Sequence, residues 1–173
     1  KSLILASPAL SVQRWSDDAK VLLTTLPESV QKIIDLHESE GTTETLEYQE
    51  AVMEYYKLYL CRSDPWPAEM DSTFVNFNPD IYGQMWGPSE FTSTGSLKNY
   101  ERADVLPKLN LPVLFTTGRY DEATPKSVEY YQSLVANSRL VIFENSAHMT
   151  MLDEPEEYAN TVRDYLRKID KNP

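Results

Sequence analysis

The sequence predicts an α/β fold built on a parallel sheet, and three observations carry that prediction. Two short apolar runs, Leu111-Pro112-Val113-Leu114-Phe115-Thr116-Thr117-Gly118 and Leu140-Val141-Ile142-Phe143, are each stopped by glycine or polar residues, the texture of strands buried on both faces. Between them, Pro125 to Ala136 has helix length. It opens on Thr124-Pro125, an N-cap with proline at the first helical position, and carries Val128, Tyr131, Leu134 and Val135 at helical spacing. Third, each run delivers one titratable residue just past its end, Asp121 and His148. Sites in parallel sheets collect outside the carboxyl ends of strands, so these two side chains are expected on one rim.

The remaining elements follow in chain order. Lys1-Ser2-Leu3-Ile4-Leu5-Ala6 enters a strand at once, which gives three convincing strands and no more. Three are few for a doubly wound sheet, so the chain is expected to be the C-terminal part of a larger protein. Val12 to Leu26 repeats Val12, Trp15, Ala19, Leu22 and Leu23 at helical intervals and ends before Pro27. Pro27 opens a second helix through about Ser39, broken by Gly41. Thr45 to Leu60 makes a third, with a wide face of Leu46, Val52, Met53, Tyr55, Tyr56, Tyr59 and Leu60, stopped at Asp64-Pro65-Trp66-Pro67. Asp71 to Gly95 is broken up by Pro79, Gly83, Gly87 and Pro88 and resists a simple reading. Pro155 to Lys168 closes the chain as a helix, with Tyr158, Val162, Tyr165, Leu166 and Ile169 on its buried side. The expected organisation is a core strand in residues 1–10, a helical cap in 11–100, and the sheet core with its acid and base loops in 101–173.

Composition narrows the function. A chain of 173 residues with 41% apolar content can bury one core of ordinary size. Sixteen basic against 27 acidic residues give a net charge of −11, which argues against nucleic acid or an anionic membrane as partner. Between Glu28 and Glu54 eight carboxylates face only Lys32, a run that suits a solvated helix face or attraction of a cationic group. The single cysteine, Cys61, forbids an internal disulfide and suits a reducing compartment, and no apolar run approaches the ~20 residues of a membrane span. A cytoplasmic protein is expected. No cofactor and no metal is expected either.

The chemistry rests on Asp121 and His148. A nucleophilic hydrolase needs a histidine base whose second ring nitrogen is held by a carboxylate, and the alpha/beta-hydrolase order is serine, acid, histidine. Acid before histidine, each after a strand, matches the last two members. Alone, Asp121 reads equally as a turn cap and His148 as a loop histidine. No G-x-S-x-G or HGGG-type segment occurs, so the nucleophile has no counterpart in these residues. The other histidine, His37, stands among Asp35 and Glu38 and reads as a surface residue.

Four segments together resemble the proline iminopeptidase family of alpha/beta-hydrolases: Lys1-Ser2-Leu3-Ile4-Leu5-Ala6-Ser7-Pro8, Tyr82-Gly83-Gln84-Met85-Trp86-Gly87-Pro88-Ser89-Glu90-Phe91, Gly118-Arg119-Tyr120-Asp121-Glu122-Ala123-Thr124-Pro125 and Ser146-Ala147-His148-Met149-Thr150-Met151. The resemblance implies the part of an alpha/beta-hydrolase sheet that follows the nucleophile elbow, with a helical cap inserted. It implies that Asp121 is the triad carboxylate and His148 the general base, and that the serine comes from an N-terminal hydrolase segment or chain. The chain alone is then expected to be inactive.

The implied substrate is a peptide with a free N-terminus, proline preferred. An α-amino group with pKa near ~8 is largely cationic at neutral pH, so a carboxylate is its natural counter-charge. The resemblance nominates Glu90. For a second carboxylate, Glu50 and Glu54 share a helix face one turn apart and are not distinguished. Trp86, with Trp66, Tyr55 and Tyr56, supplies either an apolar wall for the substrate or plain cap core. Alternatives at this stage are an esterase, lactonase or epoxide hydrolase on the same acid and base, or a non-catalytic binding fragment.

Overall fold

The computed structural model describes residues 1–171. Strands β1 (Leu3–Ala6), β2 (Val113–Gly118) and β3 (Ser138–Phe143) form a parallel sheet in the order β1-β2-β3. Leu3 stands against Val113 and Val113 against Ser138, so all three strands end on one rim. The central strand β2 is buried along its whole length, which is why its sequence is a continuous apolar run.

The long connection from β1 to β2 is helical. Helix α1 (Val12–Leu23) starts at Ser11, whose hydroxyl accepts the Arg14 N–H at 3.3 Å. It ends three residues earlier than its apolar spacing suggests. Thr24 and Thr25 turn their hydroxyls back to Val21 O and Leu22 O at 2.7 and 2.6 Å, a local bond that competes with helix continuation. Helices α2 (Glu28–Glu40) and α3 (Leu46–Tyr59) are joined through Gly41 at φ +69°, the left-handed position that glycine tolerates, and Thr45 caps α3. Between them His37 is buried, against the surface expectation, with Nδ1 2.7 Å from Thr42 Oγ1. The segment that resisted reading contains α4 (Ala68–Val75) and α5 (Pro79–Met85), the latter capped by Asn78.

A 3-10 segment, Ala103–Lys108, leads back to β2. Helix α6 (Pro125–Ser133) begins at the Thr124 cap and lies against α1: Asp18 accepts Thr124 Oγ1 at 2.8 Å and Ser127 Oγ, and the Arg14 guanidinium sits over the Tyr130 ring. Two helices close the described chain, α7 (Thr150–Asp153) and α8 (Pro155–Lys171). Along α8 Tyr165 is buried as the spacing predicts, whereas Leu166 faces solvent. The main core joins Trp15, Ile34, Tyr55, Phe115, Val128 and Tyr131, so inserted helices and sheet share one apolar interior. No helix among the described residues is long and apolar enough to cross a membrane.

Candidate active site

Each strand end contributes to one cluster. Asp121 follows β2 and is 1% exposed. Its Oδ2 accepts Ser7 Oγ from the end of β1 at 2.6 Å, Thr117 Oγ1 at 3.0 Å and the Gly118 N–H at 3.2 Å. Its Oδ1 accepts the Ala123 N–H at 2.7 Å. That set of donors occupies both carboxylate oxygens and locks the rotamer of Asp121. His148, beyond β3, places Nδ1 2.9 Å from the same Oδ1. With a carboxylate as partner Nδ1 carries the proton, which leaves Nε2 to act on another group.

Close packing of the two loops depends on Gly118. A β-carbon there would run into the backbone carbonyls of Ser146 and Ala147. Ser7 stands at φ +44°, unusual for a serine, with its hydroxyl also 3.3 Å from His148 O. Helix α3 fastens the arrangement. Its Tyr59 carbonyl accepts both the Glu122 N–H at 3.3 Å and the His148 N–H at 3.2 Å, and Leu60 O accepts Met149 N–H at 2.8 Å. Carbonyls that a helix end leaves without partners are thus satisfied by the loops that carry Asp121 and His148.

Two more carboxylates converge on the imidazole. Glu122 is 3% exposed with one side-chain oxygen lacking a hydrogen-bond partner. Burial pushes its carboxyl well above the usual range, the Glu90 charge adds to this, and His148 opposes it. Glu90 is half-buried and accepts the Tyr82 hydroxyl at 2.8 Å. Burial raises it too, against the Tyr82 hydrogen bond and the attraction of His148. For His148, 23% exposed at its side chain, burial favours the neutral ring, but Asp121, Glu122 and Glu90 together win and push it up to about 9. The segment holding Glu90 is itself anchored, because Glu38 of α2 accepts Tyr48 Oη at 3.0 Å and the hydroxyls of Ser89 and Thr92.

Of the residues nominated from sequence, Asp121, His148 and Glu90 come together, and Trp86 is one ring away. The Trp86 ring packs edge-on against Trp15 at 5.6 Å between centroids, and Trp15 packs edge-on against His148 at 5.7 Å. Glu50 and Glu54 do not join them. Both are exposed on α3, Glu54 paired with Lys57 at 2.8 Å, while the buried side of that helix is Tyr48, Ala51, Val52 and Tyr55. The second buried carboxylate within electrostatic reach of Glu90 is Glu122, which no sequence pattern singled out. Its one available signal was adjacency to Asp121 in a loop after a buried strand.

This geometry has known counterparts. The chain is 42% identical to the proline iminopeptidase of Heyndrickxia coagulans across 98% of its own length and 59% of that protein. Among solved structures, the proline iminopeptidase of Mycobacterium smegmatis superposes with a TM-score of 0.88 at 32% identity, covering 99% of this chain and 58% of that one. Sequence and fold place the chain with the proline iminopeptidase family of alpha/beta-hydrolases. The crystal structure of VinJ superposes with a TM-score of 0.92 at 36% identity over 96% of this chain and 57% of VinJ. No family model matches. The chain spans a little under three fifths of the curated relatives it matches.

Proposed function

We propose that this chain carries the acid, the base and the amino-recognition carboxylates of a cytoplasmic serine aminopeptidase that releases N-terminal residues from peptides, proline preferred. The nucleophile and the oxyanion donors come from a segment outside these 173 residues, and the chain alone is inactive. Residues 11–100 act as the cap over the site. The observation that carries this reading is the convergence of Glu90 and Glu122 on a His148–Asp121 pair at 2.9 Å.

In the proposed reaction His148 Nε2 takes the proton of the serine hydroxyl as that oxygen attacks the scissile carbonyl, then delivers it to the leaving amine. Asp121 accepts Nδ1–H throughout and stabilises the imidazolium without taking the proton. Glu90 and Glu122 hold the substrate ammonium. Two carboxylates largely withdrawn from water gain from pairing with a substrate ammonium, whereas a neutral ester offers none, and this favours a peptidase over the esterase alternative.

The test uses the full-length enzyme that contains this chain, with matched substrates bearing either a free or an acetylated amino terminus. The expected result is hydrolysis of the free-amino substrate with kcat/KM at least about a hundredfold higher. Equal rates on the two would overturn the aminopeptidase reading.

A further inference from the structure

A cavity of about 500 Å³ opens beside Glu90, and the reaction proposed above uses only its carboxylate end. Its wall is apolar and largely aromatic, formed by Tyr56, Met70, Phe74, Phe77, Tyr82 and Met149. Tyr82, the hydroxyl donor to Glu90, belongs to both the carboxylate end and the wall. Met149 follows His148 directly, which ties the opposite side of the cavity to the loop of the base. The cavity therefore has the Glu90 carboxyl in its lining and lies between α3 and the short helices α4 and α5.

The wall is poorly covered. Phe74 and Phe77 are 42% and 47% exposed. Each is nonetheless held in place by neighbouring rings: Phe74 stacks on Trp66 at 5.8 Å between centroids, and Phe77 meets Tyr82 at 5.1 Å. Fixed aromatic surface facing a cavity is where an apolar ligand group gains most on leaving water. Pockets of ~300–1,000 Å³ accommodate whole drug-sized molecules. The three methylenes of a proline ring would leave most of this one unfilled.

We infer that this cavity is the side-chain site of the proposed aminopeptidase and that it takes large apolar N-terminal residues, of the phenylalanine and leucine class, alongside proline. The inference rests on Glu90 holding the substrate ammonium. The side chain leaves the carbon that bears that nitrogen, so an amine on Glu90 delivers the side chain to the mouth of the apolar wall. Thr43, Glu44 and Gln49 form a polar rim where the cavity meets solvent, which sets an outer limit on the apolar group.

Gly83 offers a direct probe. It lines the cavity from α5, and a β-carbon built there meets nothing within 4 Å. The β-carbon of Gly83→Leu therefore displaces no neighbour, and leucine is the better helix former.

In the full-length enzyme, kcat/KM is measured on prolyl, leucyl and phenylalanyl p-nitroanilides with free amino groups. Leucyl and phenylalanyl substrates are expected within about tenfold of prolyl, and Gly83→Leu is expected to lower them at least about fivefold more than prolyl. A preference for proline above about tenfold overturns the inference, as does a Gly83→Leu variant that changes all three alike. Turnover of prolyl substrates alone leaves the aminopeptidase reading standing and removes only this side-chain site. Absence of turnover on every free-amino substrate removes the aminopeptidase reading, and this inference with it.

Discussion

Asp153 accepts the backbone N–H of Ala147 at 2.9 Å, one residue ahead of His148. The same carboxylate accepts the Ser63 N–H and hydroxyl, both at 2.9 Å, and the Arg62 N–H at 3.0 Å, all just past the end of α3. One side chain therefore binds the loop of the base to the helix that carries Tyr55 and Tyr59. Asp153→Ala leaves those donors without their acceptor and should cost about 2–3 kcal/mol of stability, read as a fall in denaturant midpoint. A change below about 0.5 kcal/mol would show that water replaces the carboxylate at no cost.

His148→Ala in the full-length enzyme should lower kcat by about 10⁴-fold or more, because base and nucleophile act as a unit. The circular dichroism spectrum should not change, since the imidazole is partly exposed and its loop is held through backbone N–H groups. Activity retained within a few-fold would exclude the base assignment. Asp121→Asn should behave differently: it turns an amide toward Ser7, Thr117 and Gly118, donors that need an acceptor, so both kcat and stability should fall.

The reach of the sequence was set by which features are local. Strand β2 was legible because burial on both faces demands a continuous apolar run; β3 carries a similar run although only Phe143 of it is fully buried, and Asp121 and His148 were legible because each follows one of those runs. The start of α6 was legible through Thr124, whose side chain caps the Ser127 N–H, and Ser11 and Thr45 prove to cap α1 and α3 in the same way. What a distant element decides was not legible. Glu122 looks like any loop acid; it is buried because Tyr59, far away in sequence, offers its carbonyl and Tyr55 packs nearby. Glu50 and Glu54 follow the helical period faithfully, yet the period alone does not say which side of α3 meets the core. His37 reads as solvated from its acidic neighbours, but Thr42 and Glu47 across the turn give its buried ring hydrogen-bond partners.

Glu90→Gln and Glu122→Gln separate amine recognition from chemistry. Each replacement keeps the shape and removes the charge, so KM for free-amino substrates should rise by about tenfold or more while kcat on N-blocked esters, compared above its acid limb, changes little. Equal losses on both substrate types would remove these carboxylates from the amino-anchor role.

The four-group cluster also makes two pH predictions. In the folded chain His148 keeps its proton up to about 9, against an ordinary value of 6.5. A group that binds its proton more tightly when folded adds stability that is fully present below pH 6.5 and is lost as the pH climbs through about 9. Melting temperatures of wild type and His148→Gln should therefore converge over that window, and parallel curves would overturn the coupling. For turnover the imidazole must be neutral. A substrate ammonium on Glu90 and Glu122 offsets part of the negative charge that holds the proton on His148, so binding lowers the pKa of the imidazole. The acid limb of kcat should then lie below that of kcat/KM for free-amino substrates, and the two limbs should coincide for an N-blocked ester. Coincident limbs on both substrates would mean that the amine is not held beside the imidazole.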